Sequence, residues 1–271
     1  MNKSLKQLLI LFCLCEFIIP MPLYAQTIDQ VAQYNASQAK RLAATDTSVG
    51  VSSTGNFNQL TIQQIGYHQQ ISGNQQNAAV ILGNGNTVDI NQGDVISRQG
   101  QSLIELGVAG DFNSLNINQG TTTTGASFGN DLGDHYQNLQ IYGSFNVVES
   151  SQIGQNHYAS MNINGNNNNQ TLVQTGTGHQ AFTSINGNDN NINSLQNGNG
   201  QHFLDLSLTG DGNSATVEQS GNTQNRATVS IINAGGPAGI NLTQTGGQTY
   251  SLQTVCVTPA GCDTTTVKQG R

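Results

Sequence analysis

The chain has 271 residues, a formal net charge of −7, 32 glycines and no tryptophan, and only 8% of its residues are charged. This charged fraction is about a third of that in soluble globular proteins, which argues against an ordinary enzyme. Disordered chains of low hydrophobicity usually carry high charge or much proline, whereas this chain has four prolines and is 35% hydrophobic. The composition therefore favours a sequence built from internal repeats.

Residues 1–25 have the features of a secretory signal peptide. Lys3 and Lys6 precede an apolar run, Leu8–Ile19, which is too short to serve as a permanent membrane anchor. We therefore expect an exported, soluble mature protein. Residues 26–54, which follow the signal peptide, are expected to form a leader outside the repeats.

The charge distribution argues against a nucleic-acid partner. Removal of the signal peptide leaves six basic and fourteen acidic residues, and between Gly55 and Tyr250 only Arg98 and Arg226 are basic. Binding to nucleic acid requires clustered lysine and arginine side chains that neutralise phosphates. We therefore expect no nucleic-acid partner.

Glycines recur at an almost constant spacing through the second half of the chain. One step is longer than the others by a single residue, and the segments between the glycines alternate between two patterns. Two steps make one repeating unit, which is therefore about 22 residues long. These turn glycines are Gly143, Gly154, Gly165, Gly176, Gly187, Gly198, Gly210 and Gly221.

The half-repeats predict strands. Their residues alternate with a period of two, which places alternate side chains on opposite faces of a strand, and glycine beside asparagine or aspartate indicates turns. The sequence therefore predicts an all-β fold, a parallel β-solenoid with two strands per coil of about 22 residues. Residues 55–253 are long enough for about nine such coils.

Amide side chains recur at equivalent positions of this repeat. In a stack of coils, identical inward positions lie above one another, so asparagine and glutamine form hydrogen-bonded ladders while aliphatic residues fill a thin, dry interior. We expect these ladders to act in assembly. The glutamines are Gln64, Gln92, Gln119, Gln152, Gln174, Gln196, Gln219 and Gln244, and the asparagines are Asn146, Asn168, Asn190 and Asn213.

Two octapeptides carry a family resemblance. Gln152–Ala159 (QIGQNHYA) and Gln174–Ala181 (QTGTGHQA) resemble the curlin repeat, the repeat of the subunits of curli, which are amyloid fibres secreted by Gram-negative bacteria. The resemblance extends over most of residues 55–253. It departs from the family where histidine replaces the usual asparagine, in the larger number of coils, and in the cysteine-containing tail.

This resemblance implies a structural role and not an enzymatic one. It implies a secreted, extracellular component of cell-surface fibres of a Gram-negative bacterium, for adhesion and biofilm matrix. Such a component would be a main subunit, a nucleator or an accessory protein. The implied partners are further copies of the chain, other curlin-like subunits and a dedicated outer-membrane secretion channel.

Histidines recur at the repeat spacing. His135, His157, His179 and His202 follow one another at one repeat length, with a single extra residue before His202, so at least the last three should stack on one face. A metal-binding or pH-sensing stripe is one interpretation, because imidazole titrates near neutral pH. We favour a neutral, hydrogen-bonded ladder that replaces asparagine, since buried charged imidazoles would lose their hydration. We accordingly expect no metal and no cofactor.

Two cysteines remain after the signal peptide is removed. Cys256 and Cys262 lie in the expected tail, residues 254–271, and flank a turn that contains proline and glycine. In an oxidising compartment such a pair is expected to form a disulfide, with free thiols or an intermolecular bond as the alternative.

Carboxylates form the basis of the remaining functional alternatives. Asp89 and Asp111 are one repeat length apart, as are Asp189 and Asp211, so each pair could stack on the turns. Glycan cleavage would need two carboxylates that converge in a cleft, and we expect these to be solubilising turn charges instead. A monomeric capped solenoid that binds glycans or a surface is the second interpretation, and a β-helix carbohydrate-active enzyme is the third.

Overall fold

A computed structural model describes residues 48–65, 69–73, 78–93, 102–120 and 133–270. The expected signal peptide and nearly all of the expected leader lie outside these ranges. Within them the chain forms twenty strands and no helix, so the described residues contain no helix that could cross a membrane.

The strands belong to two sheets, and every strand pairing within them is parallel. The first sheet contains β1 (Ser48–Val49), β2 (Val51–Thr54), β4 (Gln69–Ser72), β5 (Ala79–Leu82), β7 (Ser102–Ala109), β9 (Tyr136–Tyr142), β11 (Tyr158–Asn164), β13 (Gln180–Asn186), β15 (Phe203–Thr209), β17 (Arg226–Asn233) and β19 (Thr249–Cys256). The second contains β3 (Gln59–Ile65), β6 (Thr87–Gly93), β8 (Ser114–Gln119), β10 (Val147–Gln155), β12 (Asn169–Thr177), β14 (Asn191–Gly198), β16 (Ser214–Ser220), β18 (Gly239–Thr245) and β20 (Thr264–Gln269).

Each coil crosses the first sheet and then the second, so that the described residues build nine layers. The first layer consists of β1, β2 and β3, and the ninth of β19 and β20. The expected parallel β-solenoid with two faces per coil is confirmed. Its strands extend beyond residues 55–253 at both ends, because β1 begins at Ser48 and β20 ends at Gln269.

The core is a set of aliphatic columns between the two sheets. Along β10 and β12, buried residues alternate with exposed or half-buried ones, as the period of two predicts. In the first sheet Leu139, Met161 and Leu206 belong to one column and are at most 2% exposed. Each layer therefore buries only a few aliphatic side chains, and the layers above and below complete their packing.

Glycine is required where the chain turns from one sheet to the other. All eight turn glycines have positive φ, as at Gly165, where φ is +144°. A Cβ atom on Gly165 would lie 1.9 Å from the carbonyl oxygen of Gly187 in the next layer. The close stacking of successive turns thus leaves no space for a side chain at this position.

The turn from the first to the second sheet lengthens toward the C-terminal end. One column contains Thr209, Ile232 and Val255. Four residues separate Thr209 from β16, six separate Ile232 from β18, and eight separate Val255 from β20. A disulfide between Cys256 and Cys262 closes the longest of these turns. Although the turn is longer, β20 pairs with β18 residue for residue.

Candidate functional site: the side-chain ladders

The glutamines form one continuous column inside the second sheet. The structure places all eight expected glutamines in this column, together with Gln269 from the expected tail. In each layer Nε2 donates to Oε1 of the glutamine in the following layer, over 2.7–3.2 Å, so the column has a direction from the first layer to the ninth.

The same glutamines also join the two sheets. Gln174 is 0% exposed, and its Nε2 donates both to Oε1 of Gln196 (2.7 Å) and to the carbonyl oxygen of Tyr158 in the facing strand (3.0 Å). Gln219 makes the equivalent bond to the carbonyl oxygen of Phe203, over 2.9 Å. Both amide hydrogens are therefore used, one along the stack and one across it.

The asparagine column lies at the turn that precedes the second sheet, and its direction is opposite to that of the glutamines. Asn168 Nδ2 donates to Oδ1 of Asn146 (3.0 Å) and to the carbonyl oxygen of Gly187 (2.8 Å). Its Oδ1 accepts from the backbone N–H (3.0 Å) and Nδ2 (2.9 Å) of Asn190. The buried amide thus makes four hydrogen bonds, which satisfies its full donor and acceptor capacity.

The asparagine column also includes Asn58, Asn86 and Asn113, and it changes composition near the C-terminal end. Oδ1 of Asn213 accepts the backbone N–H of Ala238 (3.0 Å) and Nδ2 of Asn233 (3.3 Å), so in the eighth layer an amide from the start of the lengthened turn replaces the missing asparagine. In the ninth layer the equivalent residue is the one before Thr264, which is Asp263. Asp263 is exposed, and by register its carboxylate stands at this position in the ninth layer.

The histidines form a third column at the opposite turn. Adjacent rings are stacked with nearly parallel planes, at interplanar angles of 6–11°, and their centroids are 4.8–5.2 Å apart. The stack contains the expected His157, His179 and His202, and also His135. The His179 ring is 0% exposed. The recurrence of histidine at the repeat length is enough to predict this stack, because the repeat keeps the rings in register.

The hydrogen bonds of the histidine column define a neutral tautomer. Nε2 of His179 lies 3.0 Å from the carbonyl oxygen of Thr175, so it carries the proton, and Nδ1 accepts the backbone N–H of His202 at 3.0 Å. In the eighth layer Asn225 takes the same role, with Nδ2 donating to the carbonyl oxygen of Ser220 (2.9 Å). Protonation of Nδ1 would direct two N–H groups at each other.

Burial stabilises this neutral form. Burial, followed by repulsion from His135 and His179, lowers the pKa of His157 well below its usual value. The pKa of His179 is lowered to about 4, first by burial and then by His202. Burial likewise lowers the pKa of His202. Along the described residues no three histidine, cysteine, aspartate or glutamate side chains are placed to hold a metal ion.

The expected stacking of the two aspartate pairs is wrong. Equivalent positions of neighbouring layers are 27 residues apart at Asp111 and 23 apart at Asp211, whereas the two aspartates of each pair are 22 residues apart. Oδ1 of Asp111 accepts the backbone N–H of Asn84 (2.7 Å), and Oδ1 of Asp211 accepts that of Asn188 (2.7 Å). Asp89 pairs instead with Asn116. Asp111 and Asp211 therefore lie in a column with asparagine, where each accepts a turn N–H group, whereas Asp89 is an exposed residue of β6.

A second aromatic stack, on the outer face of the first sheet, is not apparent from the repeat pattern. The Tyr136 and Tyr158 rings are 5.1 Å apart, Phe182 and Phe203 continue the series at 5.0 and 5.7 Å, and the Arg226 guanidinium lies 4.1 Å from the Phe203 centroid. Tyr136, Tyr158 and Phe203 belong to one outward column, in which Gln180 occupies the position between Tyr158 and Phe203. Phe182 lies in the neighbouring column, and this displacement by one column explains why the repeat spacing does not indicate the whole stack.

The fold and the ladders define a class: a parallel two-sheet β-solenoid with polar side-chain columns. Comparison with protein-family models, curated proteins and solved structures gave no match to this chain.

Proposed function

We propose that this protein is a secreted structural component of extracellular, curli-type amyloid fibres, with a role in adhesion and biofilm matrix. The observation that carries this proposal is the glutamine ladder, which runs through all nine layers and reaches both end layers. Such a ladder adds one hydrogen bond for each layer that is added. It therefore favours addition of further layers at either end.

The two end layers support this interpretation because they leave part of the core accessible. Leu60 in the first layer is 37% exposed and Val49 is 48% exposed. In the ninth layer the strand residues of β20 are exposed or half-buried, including Val267. Accessible strand edges above an apolar interior are the usual templates for pairing with another chain.

The proposed partners are further copies of this chain or other curlin-like subunits. By the resemblance described above, we also propose export through an outer-membrane channel and a location in fibres at the surface of a Gram-negative bacterium. The role of the ladder residues is to hold successive layers in register. No reaction at a catalytic group is part of this proposal.

The test is a thioflavin time course on the exported chain, residues 26–271, beside the double variant Gln174→Ala/Gln196→Ala. We expect sigmoidal growth of the wild type and growth at least several-fold slower for the variant, because two buried layers lose their amide bonds along and across the stack. Seeding of a separate curlin would distinguish a nucleator from a subunit. A wild-type chain that stays monomeric for days, with a β-rich spectrum, would argue for a capped binding solenoid.

A further inference from the structure

We propose that the ninth layer of one copy docks on the first layer of a second copy, in the register that places Gln269 on Gln64 and Asp263 on Asn58. The proposal rests on the proposed function, to which it adds the partner surface, the direction and the register. The occupant of each end is thus a second copy of this chain.

The glutamine column has complementary ends. Every glutamine donates from Nε2 to Oε1 of the following layer, ending with Gln244 and Gln269 at 3.1 Å. Along the described residues, Nε2 of Gln269 makes no such bond, and Oε1 of Gln64 receives none. A head-to-tail joint therefore continues the ladder without reversing any amide, whereas a head-to-head joint would place like groups together.

The asparagine column is complementary in the opposite sense. In the interior, the N–H of each asparagine donates to the side-chain oxygen of the preceding layer, as from Asn86 to Asn58 at 2.9 Å. Asn58 begins the column, and Asp263 has the equivalent register position in the ninth layer, so across the joint the backbone N–H of Asn58 would face a carboxylate. Nδ2 of Asn58 keeps its own partners, Ser53 Oγ (3.2 Å) and the carbonyl oxygen of Gly83 (2.8 Å). Hydrogen bonds that have an ionised acceptor are stronger than neutral ones.

The strands of the two end layers have matching lengths. Residues 48–54 and 249–255 occupy the same columns of the first sheet, so they would face each other across the joint. In the second sheet residues 59–64 face residues 264–269. The extra residues of the ninth layer lie in the turn that the disulfide closes, between the two strands. The inserted residues therefore leave both strands in register for the joint.

The side chains at this joint are compatible. Two inward pairs are aliphatic, Val51 on Leu252 and Ile62 on Val267, and Leu60 meets the half-buried Thr265. The first layer, residues 48–65, has no charged side chain. On the outer face Gln63 meets Lys268, and both are exposed in the single copy. No like charges are brought together across this surface.

The test is a charge exchange at this outer pair, measured as the rate at which wild-type seeds elongate with soluble exported chain. In Gln63→Lys, two lysines face each other across the joint, and elongation should slow by about two- to fivefold at low salt. Gln63→Lys/Lys268→Glu, seeded with its own fibres, should return to the wild-type rate. Asn193→Lys, an exposed position in the sixth layer, is the matched control and should elongate as wild type does.

The outcomes separate the joint from the proposed function. The register is supported if elongation is slow with Gln63→Lys, returns to the wild-type rate in Gln63→Lys/Lys268→Glu, and is unchanged in the control Asn193→Lys. This joint would be overturned if wild-type seeds elongated as fast with Gln63→Lys as with the wild-type chain, or if the double variant elongated no faster than Gln63→Lys. Either result would leave the fibre role intact. A wild type that never forms fibres would overturn both.

Discussion

At the scale of single residues, glutamine, asparagine and neutral histidine perform the same task in this solenoid. Each presents a donor and an acceptor on opposite sides of a short planar group. His202 and Asn225 show the equivalence directly, because Nδ1 of His202 accepts the N–H of Asn225 (3.1 Å), and Oδ1 of Asn225 in turn accepts that of Gln248 (2.9 Å). Replacement of histidine by asparagine therefore changes the proton binding of the column more than its hydrogen bonding.

The histidine column predicts a loss of stability in acid. The pKa of His179 is about 4 in the folded chain and 6.5 when unfolded, so the unfolded chain binds more protons between these values. Stability is therefore full above pH 6.5 and falls as pH decreases toward 4, by about 3 kcal/mol for this residue. Urea unfolding of the monomer at pH 7, 6 and 5 measures this slope.

The control for this prediction is His179→Asn, which keeps the donor and acceptor as Asn225 does. It should reduce the slope of stability against pH and leave the value at pH 7 within about 1 kcal/mol. Equal unfolding free energies at pH 5 and pH 7 in the wild type would contradict the buried neutral ladder.

One buried amide should be costly. Gln170 is 0% exposed, its amide has no hydrogen-bond partner along the described residues, and it lies between Val148 and Ile192 in an inward column. Gln170→Ile should therefore raise the free energy of unfolding by about 1–3 kcal/mol, because an unpaired polar group leaves the core. The comparison is Gln174→Leu, measured by the same urea unfolding, which should lower the free energy of unfolding because it removes a bonded amide. The interpretation of the ladder would be contradicted if both variants, or neither, stabilised the chain.

At the scale of strands and turns, the sequence predicts the layers from Asn146 to Gln219 well, because glycine, asparagine and glutamine all recur there at nearly constant spacing. It fails where one of these markers is replaced. Ala238 and Asp263 occupy asparagine positions after lengthened turns, so the sequence predicts a tail where the structure has the last strand, β20. The single added residue between Gly198 and Gly210 also aligns Asp211 with Asn188 and not with Asp189. A uniform repeat of 22 residues predicts the wrong partner there.

The disulfide-closed turn should hold the last strand in place. The free energy of ordering the eight-residue turn between Val255 and Thr264 is reduced when Cys256 and Cys262 are joined. In Cys256→Ser/Cys262→Ser, we expect hydrogen exchange of β20 to become at least about tenfold faster, while β14 is unchanged.

Two comparisons make the disulfide experiment decisive. Reduction of the wild type with dithiothreitol should reproduce the effect of the double variant, and dithiothreitol added to that variant should have none. Unchanged exchange of β20 after reduction would mean that pairing with β18 alone fixes the strand.

At the scale of the whole molecule, the solenoid is directional. The glutamine ladder donates toward the ninth layer and the asparagine ladder toward the first, so the two end layers differ and are complementary. The interior is thin, and each layer depends on its neighbours for most of its packing. A molecule of this kind is stabilised by further layers, which is the physical basis of the proposed fibre.

The most direct measurement of this account is a helical reconstruction of the fibres by electron cryo-microscopy. The account predicts strands perpendicular to the fibre axis, and nine layers per copy give a rise of about 43 Å at a layer spacing of about 4.8 Å. The glutamine column should continue across each joint. Fibres in which copies associate side by side, or in which the described layers are refolded, would contradict it.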